Sequence, residues 1–205
     1  DINKAIYYFE LAANQNEHNA LNALGYIYLY GLYVPHDIKK AVHYFTLSSY
    51  KNNPSSLFEL GKIYHFGIHD GVNIKKAVYY YSLAAEKRHR EAQIMLAIFY
   101  TIGKDVQKDI DKAIHYYKEA SNLNDHYAKN NLAILYKNGF NVDKNIPYAI
   151  ELLEEAIKLQ KNSVFMYNLS HIYFYEQDQI EENFEKLIQL LTCSSFDFPP
   201  SKNLL

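Results

Sequence analysis

The stretch Asp37-Ile-Lys-Lys-Ala-Val-His-Tyr-Phe-Thr-Leu-Ser-Ser49 decides the fold, because close copies of it recur along the chain. The first residue of each copy is Asp or Asn, and Ala41 has an equivalent alanine at the same 36-residue interval. The copies begin at Asp1, Asp37, Asn73, Asp109 and Asn145. Self-similarity at a fixed period of this length is typical of repeat architectures in which each unit packs on its neighbours.

A second motif, LGYIY from Leu24, runs in phase with the first. Its leucines are Leu24, Leu60, Leu96, Leu132 and Leu169, spaced 36, 36, 36 and 37 residues apart. A glycine follows the motif in four copies, at Gly31, Gly67, Gly103 and Gly139. Because the two sequence motifs and the glycine recur at the same interval, each unit is predicted to contain two structural elements at a constant spacing along the chain.

Each unit is predicted to be a pair of antiparallel helices. Asp37 can cap the free amides of the first helix, and Ala41 and Phe45 lie on one helical stripe. Gly67 stands where a helix needs a left-handed residue at its end. We therefore predict an all-α fold, an α/α superhelical solenoid of about five 36-residue helix-turn-helix repeats.

The predicted solenoid covers residues 1–195 and ends in a cap. Residues 1–16 are predicted to be the second helix of a partial repeat, and the tail 196–205 is predicted to be extended. The full repeats are predicted near 17–52, 53–88, 89–124, 125–160 and 161–195, with a terminal capping helix at 180–193. Because the chain starts at a second helix, the pattern is compatible with further repeats before Asp1.

Composition excludes several classes of function. Lys and Arg number 21 against 23 Asp and Glu, so the net charge of −2 provides no basic footprint for nucleic acid. No run of about 18 apolar residues predicts membrane insertion. The single cysteine, Cys193, excludes an internal disulfide framework and is compatible with a reducing compartment. With 21 Tyr and no Trp, tyrosine is predicted to provide most aromatic packing.

The chain contains no recognisable catalytic or cofactor motif. His65 and His69 have the spacing of two metal ligands on a helix, but Gly67 between them interrupts the predicted helix. The adjacent carboxylates of Glu154 and Glu155 point in different directions along a helix, so they do not form an acid–base pair. We predict no metal, no cofactor and no enzymatic activity.

The composite pattern DxxKAxxYFxxAAxxxxxxxAxxxLGxxYxxG resembles the Sel-one-like repeat, a relative of the tetratricopeptide repeat. The resemblance extends from Asp1 to about Leu191. The chain departs from the family pattern at the loop Gly103–Val106, which keeps one glycine of the GxGV motif, and at Ser48-Ser49, which replace an alanine pair. These departures leave the helical pattern intact.

The resemblance implies a non-catalytic adaptor or scaffold that binds a partner protein or peptide in a concave groove. Two alternatives stay open: a dedicated inhibitor or regulator of a partner enzyme, and the targeting domain of a larger multidomain protein. The oligomeric state does not follow from the sequence.

By analogy with tetratricopeptide proteins, the LGxxY helices line the groove through residues at positions −2, +2 and +5 from each leucine. The predicted groove residues are Asn22, Tyr26, Leu29, Phe58, Lys62, His65, Ile94, Ile98, Thr101, Asn130, Ile134, Lys137, Tyr167, His171 and Phe174. The set contains aromatic, aliphatic and cationic side chains without an acid, so it predicts an apolar or amphipathic ligand with an acidic end facing Lys62 and Lys137. The competing interpretation is that these residues cover neighbouring helices or meet solvent.

Overall fold

A computed structural model describes residues 2–176 of the chain. Within that range it consists of ten α-helices joined by short turns, without a strand. Their bounds are α1 Ile2–Asn14, α2 His18–Tyr30, α3 Ile38–Ser49, α4 Pro54–Phe66, α5 Ile74–Glu86, α6 Arg90–Ile102, α7 Ile110–Asn122, α8 His126–Asn138, α9 Ile146–Leu159 and α10 Ser163–Tyr175. The predicted all-α superhelical repeat fold is thereby confirmed. The predicted capping helix, the tail and Cys193 lie outside the described residues.

Two kinds of helix alternate along the chain. We call the even-numbered helices, which carry the LGxxY motif, A helices, and the odd-numbered helices, which carry the DxxKA motif, B helices. The chain forms two compact units. Unit 1 is Asp1–Lys108 and includes α1 to α6, and unit 2 is Asp109–Leu205 and includes α7 to α10.

The predicted caps of the B helices are confirmed. Asp37 accepts a hydrogen bond from the backbone N–H of Lys40 at 3.0 Å, which satisfies one of the free amides at the start of α3. The same contact recurs at Asn73, Asp109 and Asn145. These side chains define where each B helix begins.

The A helices have caps that the sequence analysis did not identify. Four of them begin after an acidic or amide side chain that accepts a hydrogen bond from the first turn: Glu17, Asn53, Asp125 and Asn162. Helix α6 differs, because His89 occupies the cap position without a side-chain hydrogen bond to the helix. This end of α6 therefore has weaker local stabilisation than its counterparts.

The predicted left-handed ends of the A helices are confirmed, with φ between 64° and 69° at Gly31, Gly67, Gly103 and Gly139. The turns after the first four B helices also pass through a left-handed residue, at Asn16, Asn52, Arg88 and Asn124. Asparagine tolerates this conformation better than most residues do. The equivalent residue after α9 is Gln160, which is extended with φ −148°. The last turn therefore differs from the earlier ones.

In unit 1, the glycine of LGxxY allows the A helix to lie directly on the aromatic ring of the next B helix. A Cβ atom on Gly25 would lie 2.5 Å from the ring of Phe45, and one on Gly61 would lie 2.5 Å from the ring of Tyr81. Both rings are fully buried. Close helix contact, which only the smallest residue permits at these two positions, thus forms the core of these repeats.

Tyrosines contribute to this packing, as predicted, but only in part. Tyr28 stacks on Tyr44 and Tyr64 stacks on Tyr80, in both cases with ring centroids 5.6 Å apart. Several other tyrosines are exposed, namely Tyr7, Tyr8, Tyr30, Tyr33, Tyr50, Tyr79, Tyr127, Tyr167 and Tyr175. Only some of the tyrosines therefore pack in the repeats, because others lie at exposed positions.

Candidate functional site

The predicted groove residues divide between the two units. We define the A-helix face of unit 1 as the nine predicted residues on α2, α4 and α6, and that of unit 2 as the six on α8 and α10. Leu29 and Asn130 are buried and offer little surface, whereas Tyr167 and Phe174 are 63% and 55% exposed. The remaining predicted residues are half-buried: Asn22, Tyr26, Phe58, Lys62, His65, Ile94, Ile98, Thr101, Ile134, Lys137 and His171.

A buried carboxylate organises the unit 1 face. Glu59 is 4% exposed and accepts hydrogen bonds from the Tyr26 hydroxyl at 3.2 Å and from the Lys62 ammonium at 3.0 Å. Burial and the Glu59 carboxylate raise the pKa of Tyr26 far above its usual range. The chain thus provides its own acid for Lys62. Glu59 is not among the predicted groove residues, because it lies at −1 from its leucine, outside the three predicted positions.

Phe58 and His65 also contact other helices of unit 1. The Phe58 ring stacks on His89 at 4.6 Å, and the His65 ring lies 4.9 Å from Phe99. The Tyr81 hydroxyl lies 3.4 Å from Nδ1 of His65. Burial lowers the pKa of His65, which favours its neutral form. Both predicted groove residues therefore help to join successive helices.

The amides at position −2, Asn22 and Asn130, each accept a hydrogen bond from the next A helix of their unit. In unit 1 the Ser56 hydroxyl donates to Oδ1 of Asn22 at 2.7 Å, and in unit 2 Nδ2 of Asn168 donates to Oδ1 of Asn130 at 2.8 Å. The Thr101 hydroxyl donates to the backbone oxygen of Ala97 within its own helix. For these positions the geometry favours the competing interpretation, in which the side chains stabilise the repeat array.

The unit 2 face brings Lys137 of α8 together with His171 of α10, with 2.9 Å between Nζ and Nδ1. The His171 ring lies 4.4 Å from the ring of Tyr175 and 6.2 Å from that of Tyr167. Burial lowers the pKa of Lys137. Tyr175, which is 67% exposed, was not predicted because it lies at +6 from its leucine. The face thus combines a partly desolvated cation with exposed aromatic rings.

A small depression opens beside Lys137. It is shallow: its enclosed volume is about 20 Å³, little more than the roughly 10–15 Å³ that one water molecule needs, and it continues into solvent. Its lining residues are Ala133, Ile134, Lys137, Leu153, Asn168 and Ile172. Small-molecule sites usually occupy about 300–1,000 Å³, so this space is too small for a cofactor and admits only the end of one side chain.

Within residues 2–176, no group of three or more His, Cys, Asp or Glu side chains is arranged to hold a metal ion. His69 lies in the turn after α4, so it does not share a helical face with His65. Among the described helices, none combines the length and apolar character needed to cross a membrane. The described surface of each unit consists of packed helices whose outer faces are partly exposed.

The repeats of this chain match a known family model. The model described as Sel1 repeat matches residues 1–17, 18–53, 54–89, 90–125, 126–161 and 163–192. A search of curated proteins by sequence found no match.

Several solved structures share the fold. A protective antigen with an SLR fold, c5321 from uropathogenic Escherichia coli, is 23% identical with a TM-score of 0.88, over 97% of this chain and 42% of that protein. A Sel1 repeat protein from Oxalobacter formigenes is 24% identical with a TM-score of 0.79, over 96% of this chain and 80% of that one. The immunity protein Pa5087 from Pseudomonas aeruginosa is 17% identical with a TM-score of 0.51, over 95% of this chain and 75% of that protein. At these identities the similarity shows the fold alone.

Proposed function

Because the chain belongs to the Sel1 repeat family, we propose that it is a non-catalytic scaffold that binds a partner protein through its A-helix faces. Proteins of this family are generally interaction scaffolds and are generally non-catalytic. The chain spans 42% of the length of the Escherichia coli protein, and the proposal concerns only the repeats within residues 1–205.

The observation that supports this proposal is the exposed aromatic surface of α10. Tyr167, Phe174 and Tyr175 are each more than half exposed on a helix whose other side is packed in the repeat. Exposed aromatic side chains contribute a large contact area with few torsions to immobilise, and they are common energetic hot spots of interfaces. Unit 2 therefore presents the surface that we expect to contribute most to binding.

The test begins with affinity capture from the native host and identification of bound proteins by mass spectrometry. The affinity of the purified partner is then measured by calorimetry for the wild type and for Tyr167→Ala and Phe174→Ala. We expect each substitution to weaken binding by about tenfold or more, corresponding to the hot-spot range. These two variants are more informative than Phe58→Ala, because Phe58 packs on His89 within the fold.

The matched control is Tyr79→Ala on the B helix α5, where the side chain is 59% exposed. It removes a similar exposed aromatic ring from a helix that carries no predicted binding residue. If both α10 variants keep full helicity and bind the partner with unchanged affinity, the unit 2 face is excluded as the binding surface. If they lose no more affinity than Tyr79→Ala does, the effect of removing a ring is non-specific.

Stoichiometry distinguishes the scaffold from the dedicated inhibitor. A one-to-one complex of nanomolar affinity that abolishes the activity of a partner enzyme would favour the inhibitor. Weaker complexes with several proteins would favour the scaffold.

A further inference from the structure

Lys137 carries a positive charge for which the described part of the chain provides no carboxylate within 4 Å. Its ammonium group has three N–H donors, and His171 Nδ1 accepts one of them at 2.9 Å. An imidazole nitrogen that accepts this hydrogen bond carries no negative charge and does not compensate the ammonium. Two N–H groups of Lys137 are therefore left to face solvent or a ligand.

Other half-buried or buried lysines are compensated inside the protein. Lys129, on the same helix as Lys137, is 8% exposed at its side chain and pairs with Glu155. Lys62, on the A-helix face of unit 1, pairs with the buried Glu59 at 3.0 Å. Burial lowers the pKa of Lys137 and outweighs the opposite influence of the Glu176 carboxylate, which is itself paired with Lys144 at 2.9 Å. A carboxylate from outside would offset the effect of this burial.

Asn168 places a second donor at the same depression. Its Nδ2 donates one N–H to Asn130 Oδ1 at 2.8 Å, and Asn130 in turn donates to Asn131 Oδ1 at 3.1 Å. This chain of amides fixes the orientation of the Asn168 side chain. A primary amide has two N–H groups, so one remains beyond the bond to Asn130.

The lining of the depression suits the carboxylate end of a single acidic side chain. Ile134, Leu153 and Ile172 provide an apolar wall for the methylene groups, and Lys137 with Asn168 provides the polar end. The exposed rings of Tyr167 and Tyr175 flank His171 next to this space. Aromatic rings at the border favour a peptide chain over a free inorganic anion, because they can contact the residues on either side of the acid.

We propose that this depression, the Lys137 pocket, binds the carboxylate of one Asp or Glu side chain of a partner protein. The inference rests on the proposed function and specifies the chemistry of the partner at unit 2. Hydrogen bonds from the Lys137 ammonium and from the Asn168 amide hold the carboxylate, and both are charge-assisted because the acceptor is ionised.

The experiment selects binding peptides from a random twelve-residue phage library on the immobilised full chain. Selected peptides are synthesised, each with a companion in which the acidic residue is replaced by its amide. Their dissociation constants are measured by fluorescence polarisation against the wild type, Lys137→Met and Lys137→Arg. The matched control is Lys158→Met, which removes an exposed lysine of α9 in the same unit that is not among the charges acting on Lys137.

We expect the peptides to share an acidic residue whose conversion to the amide weakens binding by about tenfold or more. The same loss is expected for Lys137→Met, and in that variant the acidic and amide peptides should bind equally. Lys137→Arg should retain most of the affinity, since it keeps the charge, and Lys158→Met should have little effect.

Peptides that bind tightly without an acid, or that bind Lys137→Met as well as the wild type, would overturn the Lys137 pocket and leave the proposed function standing. An absence of any selected peptide, combined with unchanged partner affinity for Tyr167→Ala and Phe174→Ala, would count against both. Circular dichroism establishes that each variant keeps its helicity.

A further outcome concerns the acids of the chain itself at Glu181, Glu182 and Glu185. If replacing these three by Gln lowered the melting temperature as much as Lys137→Met does, and the two changes were not additive, the pocket would be occupied from within. That result would overturn the proposal of an external carboxylate.

Discussion

At the scale of the residue, His89 is the one N-cap residue of the described A helices whose side chain makes no hydrogen bond to its helix. It occupies the position that Asn53 occupies before α4, yet its side chain makes no capping hydrogen bond. Its ring is instead buried against Phe58 at 4.6 Å. Burial lowers the pKa of His89, and this effect outweighs the opposite influence of the nearby Glu91 and Glu59 carboxylates. The fold therefore favours the neutral imidazole.

This lowered pKa predicts a loss of stability in mild acid. The unfolded chain binds a proton at His89 near pH 6.5, whereas the folded chain binds it only at lower pH. The free energy of unfolding should therefore fall as the pH drops from 7 towards 5. His89→Asn should reduce this slope, because asparagine does not titrate. Urea denaturation at pH 7, 6 and 5 measures the effect.

The control for this prediction is His115→Asn, which removes an exposed histidine at the surface of α7. It should leave the slope as it is in the wild type. A slope that is the same in His89→Asn as in the wild type would show that other groups, such as His65, cause the acid sensitivity.

At the scale of the element, the contact between A and B helices depends on matched residue sizes. Unit 1 pairs Gly61 with the fully buried Tyr81, and unit 2 has Ala133 and Leu153 at the equivalent positions. A glycine inside a helix lowers helix propensity relative to alanine. Packing of the aromatic ring on the bare backbone outweighs that disadvantage in unit 1.

We therefore predict that Gly61→Ala destabilises the protein, although alanine is the better helix former. A Cβ at this position would lie 2.5 Å from the Tyr81 ring, and such overpacking typically costs about 1–3 kcal/mol. The double variant Gly61→Ala/Tyr81→Leu reproduces the combination of unit 2. It should be more stable than the sum of the two single changes predicts, as measured by a double-mutant cycle in urea. Additive effects would contradict the size-matching explanation.

At the scale of the whole molecule, stability is expected to be uneven along the repeats. Helix α1 contains no buried residue, and Phe9 is 37% exposed. The equivalent residue of α3, Phe45, is fully buried although the two helices have similar sequences. In a repeat array each element is stabilised mainly by its direct neighbours. The opening free energy of α1 should therefore be low.

Hydrogen exchange tests this prediction within one sample. Backbone amides of α1 should exchange at least about tenfold faster than those of α3, because few apolar contacts oppose local opening. The similarity of the two sequences makes α3 an internal control for intrinsic exchange rates. Equal protection of the two helices would show that α1 is stabilised by contacts that its exposure does not reveal.

The repeat period, the ten helices and their ends could be predicted from the sequence because they depend on local chemistry. Asp37 and its equivalents form caps within three residues, and the glycines at Gly31 and its equivalents end helices through their own backbone conformation. The A-helix caps were missed because residues as different as Glu17 and Asn162 fill that role. A pattern of identical letters does not reveal a shared hydrogen-bonding function.

The arrangement of the candidate site depended on contacts that no local pattern contains. Tyr26 meets Glu59 across 33 positions in the chain, and Lys137 meets His171 across 34. Sequence spacing by itself determined the family, the helix pairs and the approximate faces. The Lys62–Glu59 pair is three residues apart on α4, so helical spacing by itself could have indicated it. Only the tertiary structure decided that Lys137 meets His171 and has no carboxylate of the described residues within 4 Å, because that depends on the ångström-scale distance between side chains of different helices.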